Sequence, residues 1–230
     1  MHTNAAQALG TIIRSNSGVA LKAEMLRSIQ FAVGTSISAP ARAVTAWKDE
    51  WPVLIFTDGA CEDSGSTVTH GAVLCHLTIQ NSFFRDAVPQ RYVSEWIRFG
   101  KKQVIYQAEL FPIWIAKRTW REVLKGRQIL WFCDNEAARS AMIRAYSPVI
   151  DSMELVRNAA WEDVSAQTTN WYARNPSKSN LSDSASRLDF EMYHTMGFAK
   201  VQPEYAQDVE SGVDGVGKDH AISKANQIPA

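Results

Sequence analysis

Four acidic residues occupy positions where carboxylates could be brought together. Asp58 follows the apolar run Val53-Leu54-Ile55-Phe56, and Asp134 follows a second apolar run, Gln128 to Cys133. If the two runs are neighbouring parallel strands, their axes lie ~4.8 Å apart. The two aspartates then project from adjacent carboxyl ends, where open α/β sheets place their ligand sites. Glu109 falls in the first turn of a helix predicted from about Gln107, and Asp183 in the first turn of one predicted from about Asn180. Two like charges ~4 Å apart repel by about 4 kcal/mol at an effective dielectric of about 20, so a cluster of four calls for cations. A site of Asp and Glu oxygens alone suits Mg²⁺ or Mn²⁺ rather than zinc. Two such ions ~3.5–4 Å apart, bridged by a shared carboxylate, form a recurring arrangement for phosphodiester hydrolysis.

Each acid also has a commoner use. Asp58 before Gly59 fits an ordinary turn. Glu109 fits a helix N-terminus, where it complements the dipole. Asp134-Asn135 fits an N-cap, and Asp183, three residues after Asn180, fits a capping-box pair. Taken singly, each loses to its common use. Two acids at strand ends and two at helix starts are a less expected coincidence.

The elements that must position these acids are legible in outline. The chain has 230 residues, 24 basic and 24 acidic, with 46 % apolar and 10 % aromatic residues. Zero net charge excludes a globally basic nucleic-acid binder but not local basic patches. Residues 1–50 read as a helical N-terminal extension, with Leu21, Met25, Ile29 and Ala32 near helical spacing. Residues 51–200 hold seven of the eight tryptophans and read as the folded domain. Residues 201–230, with Gly212, Gly215 and Gly217 and few large apolar residues, read as a disordered polar tail. Within the domain, strands are expected near 53–56, 71–79, 82–88, 128–133 and 169–173. Helices are expected at 107–124, 135–146, about 150–165 and from about 180. This is an α/β domain whose first three strands form an antiparallel meander. Cys61, Cys75 and Cys133 form no CxxC pair and read as reduced residues of an intracellular protein, cytoplasmic or nuclear. No apolar run approaches the ~20 residues of a membrane helix.

The segments Phe56-Thr57-Asp58-Gly59-Ala60, Gln107-Ala108-Glu109-Leu110 and Phe132-Cys133-Asp134-Asn135-Glu136-Ala137-Ala138 occur in that order. They are followed by the run from Ala173 through Asn175-Pro176-Ser177 to Asp183-Ser184-Ala185-Ser186-Arg187. Over about 53–190 the chain resembles a ribonuclease H domain, of the type attached to reverse transcriptases of retroelements. The resemblance implies a five-stranded mixed sheet flanked by helices, an antiparallel meander followed by parallel strands. It implies metal-dependent endonucleolytic cleavage of the RNA strand of RNA–DNA hybrids by two Mg²⁺ ions, or Mn²⁺, held by Asp58, Glu109, Asp134 and Asp183. A catalytically inactive ribonuclease H-like structural or nucleic-acid-binding module is the alternative. The loop 174–182 lacks the histidine that cellular members often carry, Lys178 being its charged side chain. The chain has no Asp-Asp pair of a polymerase palm. Residues 1–50 fit the remnant of a connection to an upstream reverse transcriptase domain, an expected partner beside the hybrid itself.

Substrate contacts are expected from Asn135, next to a metal ligand and able to read a 2′-hydroxyl or to cap its own helix. Arg174, Lys178 and Arg187 surround Asp183 in sequence and suit phosphate contacts. Lys117, Arg118, Arg121, Lys125 and Arg127 read as a solvated basic face. Trp114, Trp120, Trp131, Trp161 and Trp171 read as packing residues, and His70 and His76 as structural.

Overall fold

The computed structural model describes residues 18–39, 50–62, 67–97, 104–176, 181–182 and 191–205. Its elements, in chain order, are α1 (Gly18–Ser38), β1 (Val53–Glu62), β2 (Thr67–Cys75), β3 (Ser82–Ala87), α2 (Gln90–Ile97), α3 (Ile105–Thr119) and α4 (Arg121–Leu124). There follow β4 (Gln128–Cys133), α5 (Glu136–Arg144), α6 (Ile150–Ala166), β5 (Thr169–Arg174), α7 (Glu191–Thr195) and β6 (Ala199–Lys200).

The strands form one sheet in the order β5-β4-β1-β2-β3-β6. β1, β2 and β3 are the antiparallel meander, and β4 and β5 add in parallel on the far side of β1. The sheet has six strands rather than the expected five. Gly197, in the left-handed region, turns the chain after α7 so that Ala199 and Lys200 run parallel to Ser82 and Phe83. A two-residue strand has no alternation to read, yet it covers the meander's open edge.

Other boundaries shift for physical reasons. β1 continues through Asp58 to Glu62, because β2 goes on pairing with it as far as Thr67. The expected helix 107–124 starts at Ile105 and breaks at Trp120, leaving α4 as a single turn. The short amphipathic turn expected around Val93 and Trp96 is α2, which buries both.

The core lies on one face of the sheet, under α3 and α6. Ile55 and Trp131 from the sheet meet Phe111 and Ile113 from α3 and Val156 from α6, all buried. On the other face Val73 and Phe83 pack with Tyr193 and Phe198. There Phe56 of β1 stacks on Phe132 of β4, centroids 4.6 Å apart. α1 meets α6 by setting Phe31 edge-on to Trp161 and leaves Met25 and Ile29 exposed. Residues 201–205 lie against the domain: Val201 donates its N–H to Phe83, and Tyr205 reaches His70. No helix among the described residues is long and apolar enough to cross a membrane.

Candidate metal centre

The parallel pairing of β1 with β4 ends at Thr57 and Cys133, so Asp58 and Asp134 are the next residues of two neighbouring strands. Asp58 is therefore not a turn residue: it and Gly59 pair with Gly71 and His70 of β2. Alternation along each strand carries the outer-face row Phe56 and Phe132 forward to these two acids.

Glu109 reaches them from α3. It is the helix's fifth residue, past the first turn in which it was expected, so complementing the helix dipole is not its role. A close approach of backbones delivers it. A Cβ on Gly59 would stand 2.1 Å from the Ala108 carbonyl oxygen. Pro112, inside α3, has no N–H to give to the Ala108 carbonyl four residues back. That oxygen is thus left facing Gly59, where a Cα–H takes the place of a side chain.

The electrostatics show how crowded the junction is. Burial pushes the Glu109 carboxyl up to about 9, and the charges of Asp58 and Asp134 push the same way. The Gly59 N–H and the Asn135 side-chain amide donate to Glu109 and only partly offset this. Glu109 is 7 % exposed, and its Oε2 is buried with no hydrogen-bond partner among the described residues. Asp134 Oδ1 is buried and unpartnered in the same sense. Two orphaned acidic oxygens are costly unless something cationic satisfies them.

Among the described residues, Glu109, Cys133 and Asp134 form a group whose ligand atoms all lie within 4.8 Å of one another. The expectation of four gathered carboxylates is thus only partly met. Asp58 is near enough to act on Glu109 but is not in that group. Asp183, with Lys178 and Arg187, lies outside the described residues. Cys133 was not foreseen. Burial, with the charge of Glu109 next, pushes its thiol up to about 12, so at neutral pH it carries its proton. Glu109, raised to about 9, likewise holds its proton in the ion-free chain but releases it more readily than Cys133 when a cation binds, so the donors are carboxylate oxygens, a set that fits a hard divalent cation. The signal in the sequence was Cys133 standing directly before Asp134.

Asn135 is the N-cap of α5. Its side-chain oxygen accepts the Ala138 N–H at 3.0 Å while its amide serves Glu109. Arg174 ends β5 opposite Cys133 and is exposed, and the Asn175 N–H continues the ladder to the Cys133 carbonyl at 3.1 Å. The expected basic face is solvated only in part: Arg121 and Lys125 are exposed, but the other three are not. Lys117 is buried against Asp163, Arg118 and Arg121 pair with Glu162, and Arg127 with Glu50. Trp171 is not a packing residue: it is 73 % exposed, because it faces away from the helices that cover its neighbour Tyr172.

No protein-family model and no curated protein matches the chain. Among solved structures it is similar to the N-terminal RNase H domain of rv2228c from Mycobacterium tuberculosis, at 13 % identity and a TM-score of 0.44. That match covers 63 % of this chain and 97 % of that one. RNase H1 from the archaeon Halobacterium salinarum matches at 11 % identity and a TM-score of 0.43, over 62 % and 99 % of the two chains. LC11-RNase H1, solved with an RNA/DNA hybrid, matches at 12 % identity and a TM-score of 0.41, over 62 % and 99 %. These likenesses are weak, and the functional reading rests on the side chains at the β1–β4 junction.

Proposed function

We propose that this chain is a metal-dependent endonuclease of ribonuclease H type, hydrolysing the RNA strand of RNA–DNA hybrids. One observation carries the reading. Buried oxygens of Glu109 and Asp134, without partners among the described residues, sit with Asp58 where the carboxyl ends of two adjacent parallel strands meet α3. Evolution seldom leaves acids so placed without a counter-charge, because removing it costs stability. Asp58, Glu109, Asp134 and Asp183 are the residues proposed to hold Mg²⁺ or Mn²⁺. Divalent ions bound there supply an acidified water and neutralise charge on the leaving oxygen.

The chain's own groups do the positioning. Gly59 lets α3 close on β1 and donates its N–H to Glu109, so that this carboxylate is fixed before any ion arrives. Asn135 ties Glu109 to the cap of α5, and its remaining donor capacity suits a 2′-hydroxyl in the minor groove of a hybrid. Arg174, exposed at the end of β5, with Lys178 and Arg187, suits the phosphate backbone and gives affinity without sequence readout. The run from Asn175 to Arg187 supports a retroelement origin and an upstream reverse transcriptase domain as partner.

The test is cleavage of an end-labelled hybrid, in competition with duplex DNA and duplex RNA, in Mg²⁺, in Mn²⁺ and with chelator. Cleavage of the RNA strand alone, lost with chelator and in Asp134→Asn, is expected. Undiminished cleavage by Asp134→Asn would overturn the assignment. A folded protein that binds the ions and cuts nothing would favour the inactive module.

A further inference from the structure

We propose that Glu109, Cys133 and Asp134 together form a site for a thiophilic divalent cation, Cd²⁺ or Zn²⁺, which excludes the hard cation and stops cleavage. The ligand atoms of the three side chains lie within 4.8 Å of one another. Around a tetrahedral zinc, ligands on ~2.0–2.3 Å bonds stand about 3.3–3.8 Å apart, so side-chain shifts of at most about an ångström and a half bring the three onto one ion. Glu109 and Cys133 are both more than nine-tenths buried, and Glu109 Oε2 and Asp134 Oδ1 lack partners among the described residues. Among the described residues Cys133 Sγ has one weak hydrogen bond to replace, its donation to the Asn135 carbonyl at 3.5 Å.

The chemistry differs from that of the hard ion. Mg²⁺ takes oxygen and leaves a protonated thiol alone. Zinc and cadmium bind thiolate sulfur strongly. As the ion binds, the Cys133 S–H bond breaks and its proton, with the one that Glu109 holds in the ion-free chain, passes to water, with no change of oxidation state. The ion then sits on two carboxylates that the proposed reaction needs, so the inhibitory half of the inference rests on the nuclease reading while the binding half does not.

The experiment titrates Cd²⁺ into the full chain without Mg²⁺ and follows the ultraviolet thiolate-to-cadmium absorbance. Wild type should develop the band and saturate at about one equivalent. Cys61→Ser and Cys75→Ser should keep it. Cys133→Ser should lose it and bind Cd²⁺ more weakly by at least the about 10–100-fold that even an outer-shell loss costs. Excess Mg²⁺ should suppress the wild-type band, a measurement that needs no variant. In the hybrid assay Zn²⁺ should slow wild type, and Cys133→Ser, scored against its own Mg²⁺ rate, should resist. An unchanged band in Cys133→Ser or no band in wild type would each overturn the site, and a band indifferent to excess Mg²⁺ would overturn the exclusion of the hard cation. A band that behaves as expected in a protein that cuts no hybrid supports the site and overturns the nuclease reading instead.

Discussion

Gly59 and Ala108 touch backbone to backbone: a Cβ added at Gly59 would lie 2.1 Å from the Ala108 carbonyl oxygen. No rotamer relieves such a clash, since the position of a Cβ is fixed by its own backbone and the oxygen it meets is main chain. Gly59→Ala should therefore push α3 off β1 and carry Glu109 away from Asp58. Overpacking of this kind costs about 1–3 kcal/mol or more. Urea unfolding should show that loss, and hybrid cleavage should fall further than stability does. An alanine variant with wild-type stability and rate would show that the approach is not what sets the site.

Glu109 makes the ion-free protein sensitive to alkali. Its carboxyl is raised from 4.5 to about 9, so between those values the folded chain holds a proton that the unfolded chain has released. Stability must fall as pH rises through that window. His70 works in the opposite sense. Burial lowers it from 6.5 to about 3, so stability rises with pH between those two values. Between about 6.5 and 8 His70 is neutral in both states, and of these two groups only Glu109 still contributes. There the ion-free protein should lose up to about 1.4 kcal/mol per pH unit, and Mg²⁺ should flatten the slope by satisfying the ionised carboxylate. Glu109→Gln should stabilise the ion-free protein at about pH 8, abolish the Mg²⁺ effect and abolish cleavage. Denaturant titrations with and without Mg²⁺ decide it, and a Gln variant less stable than wild type at that pH would refute the electrostatic account.

What could be read in advance follows from periodicity. The runs 53–56 and 128–133 are continuous and apolar because both faces of a central strand are covered, so their partnership and the acids after them were visible. Asp58 looked like a turn only because the strand carries it on past its parallel partner. Cys133, Gly59 and Lys117 depend on contacts between elements far apart in sequence. Lys117 lies within a basic run, and only the fold shows that one member turns inward to Asp163. Trp171 is the converse: strand spacing makes it look like a core residue, but its face of β5 is left to solvent. β6 escaped notice because two residues carry no pattern.

Lys117 holds β4 and β5 together from beneath. Its ammonium donates to Asp163 and, at 3.0 Å, to the Tyr172 hydroxyl, and lies 4.7 Å from the Trp131 ring centroid. Lys117→Met keeps the stem and removes the charge, leaving Asp163 with the Thr168 hydroxyl at 2.9 Å. Breaking one side of a buried pair costs about 3–5 kcal/mol. Lys117→Met should lose that much, and adding Asp163→Leu should recover part of it. If the losses of Lys117→Met and of Asp163→Leu alone simply add in the double variant, the charge pair has no coupling.

Tyr205 closes the other flank. Its hydroxyl donates to Asp86 Oδ2 at 3.0 Å and meets His70 Nε2 at 2.9 Å. The tyrosine proton goes to the carboxylate, so His70 must carry its own proton on Nε2. Its buried Nδ1 is then an acceptor without a partner among the described residues. Tyr205→Phe keeps the ring, which lies beside His70 and Phe111. It leaves the buried His70 N–H with no acceptor, which costs about 1–3 kcal/mol. Because His70 pairs with Gly59 across the sheet, the loss bears on the strand that carries Asp58. The variant should unfold at lower urea and exchange its β2 amides faster, while its Glu109-driven loss above pH 6.5 stays in place. If Tyr205→Phe matches wild type in both measurements, the segment 201–205 rests on the domain without bracing it.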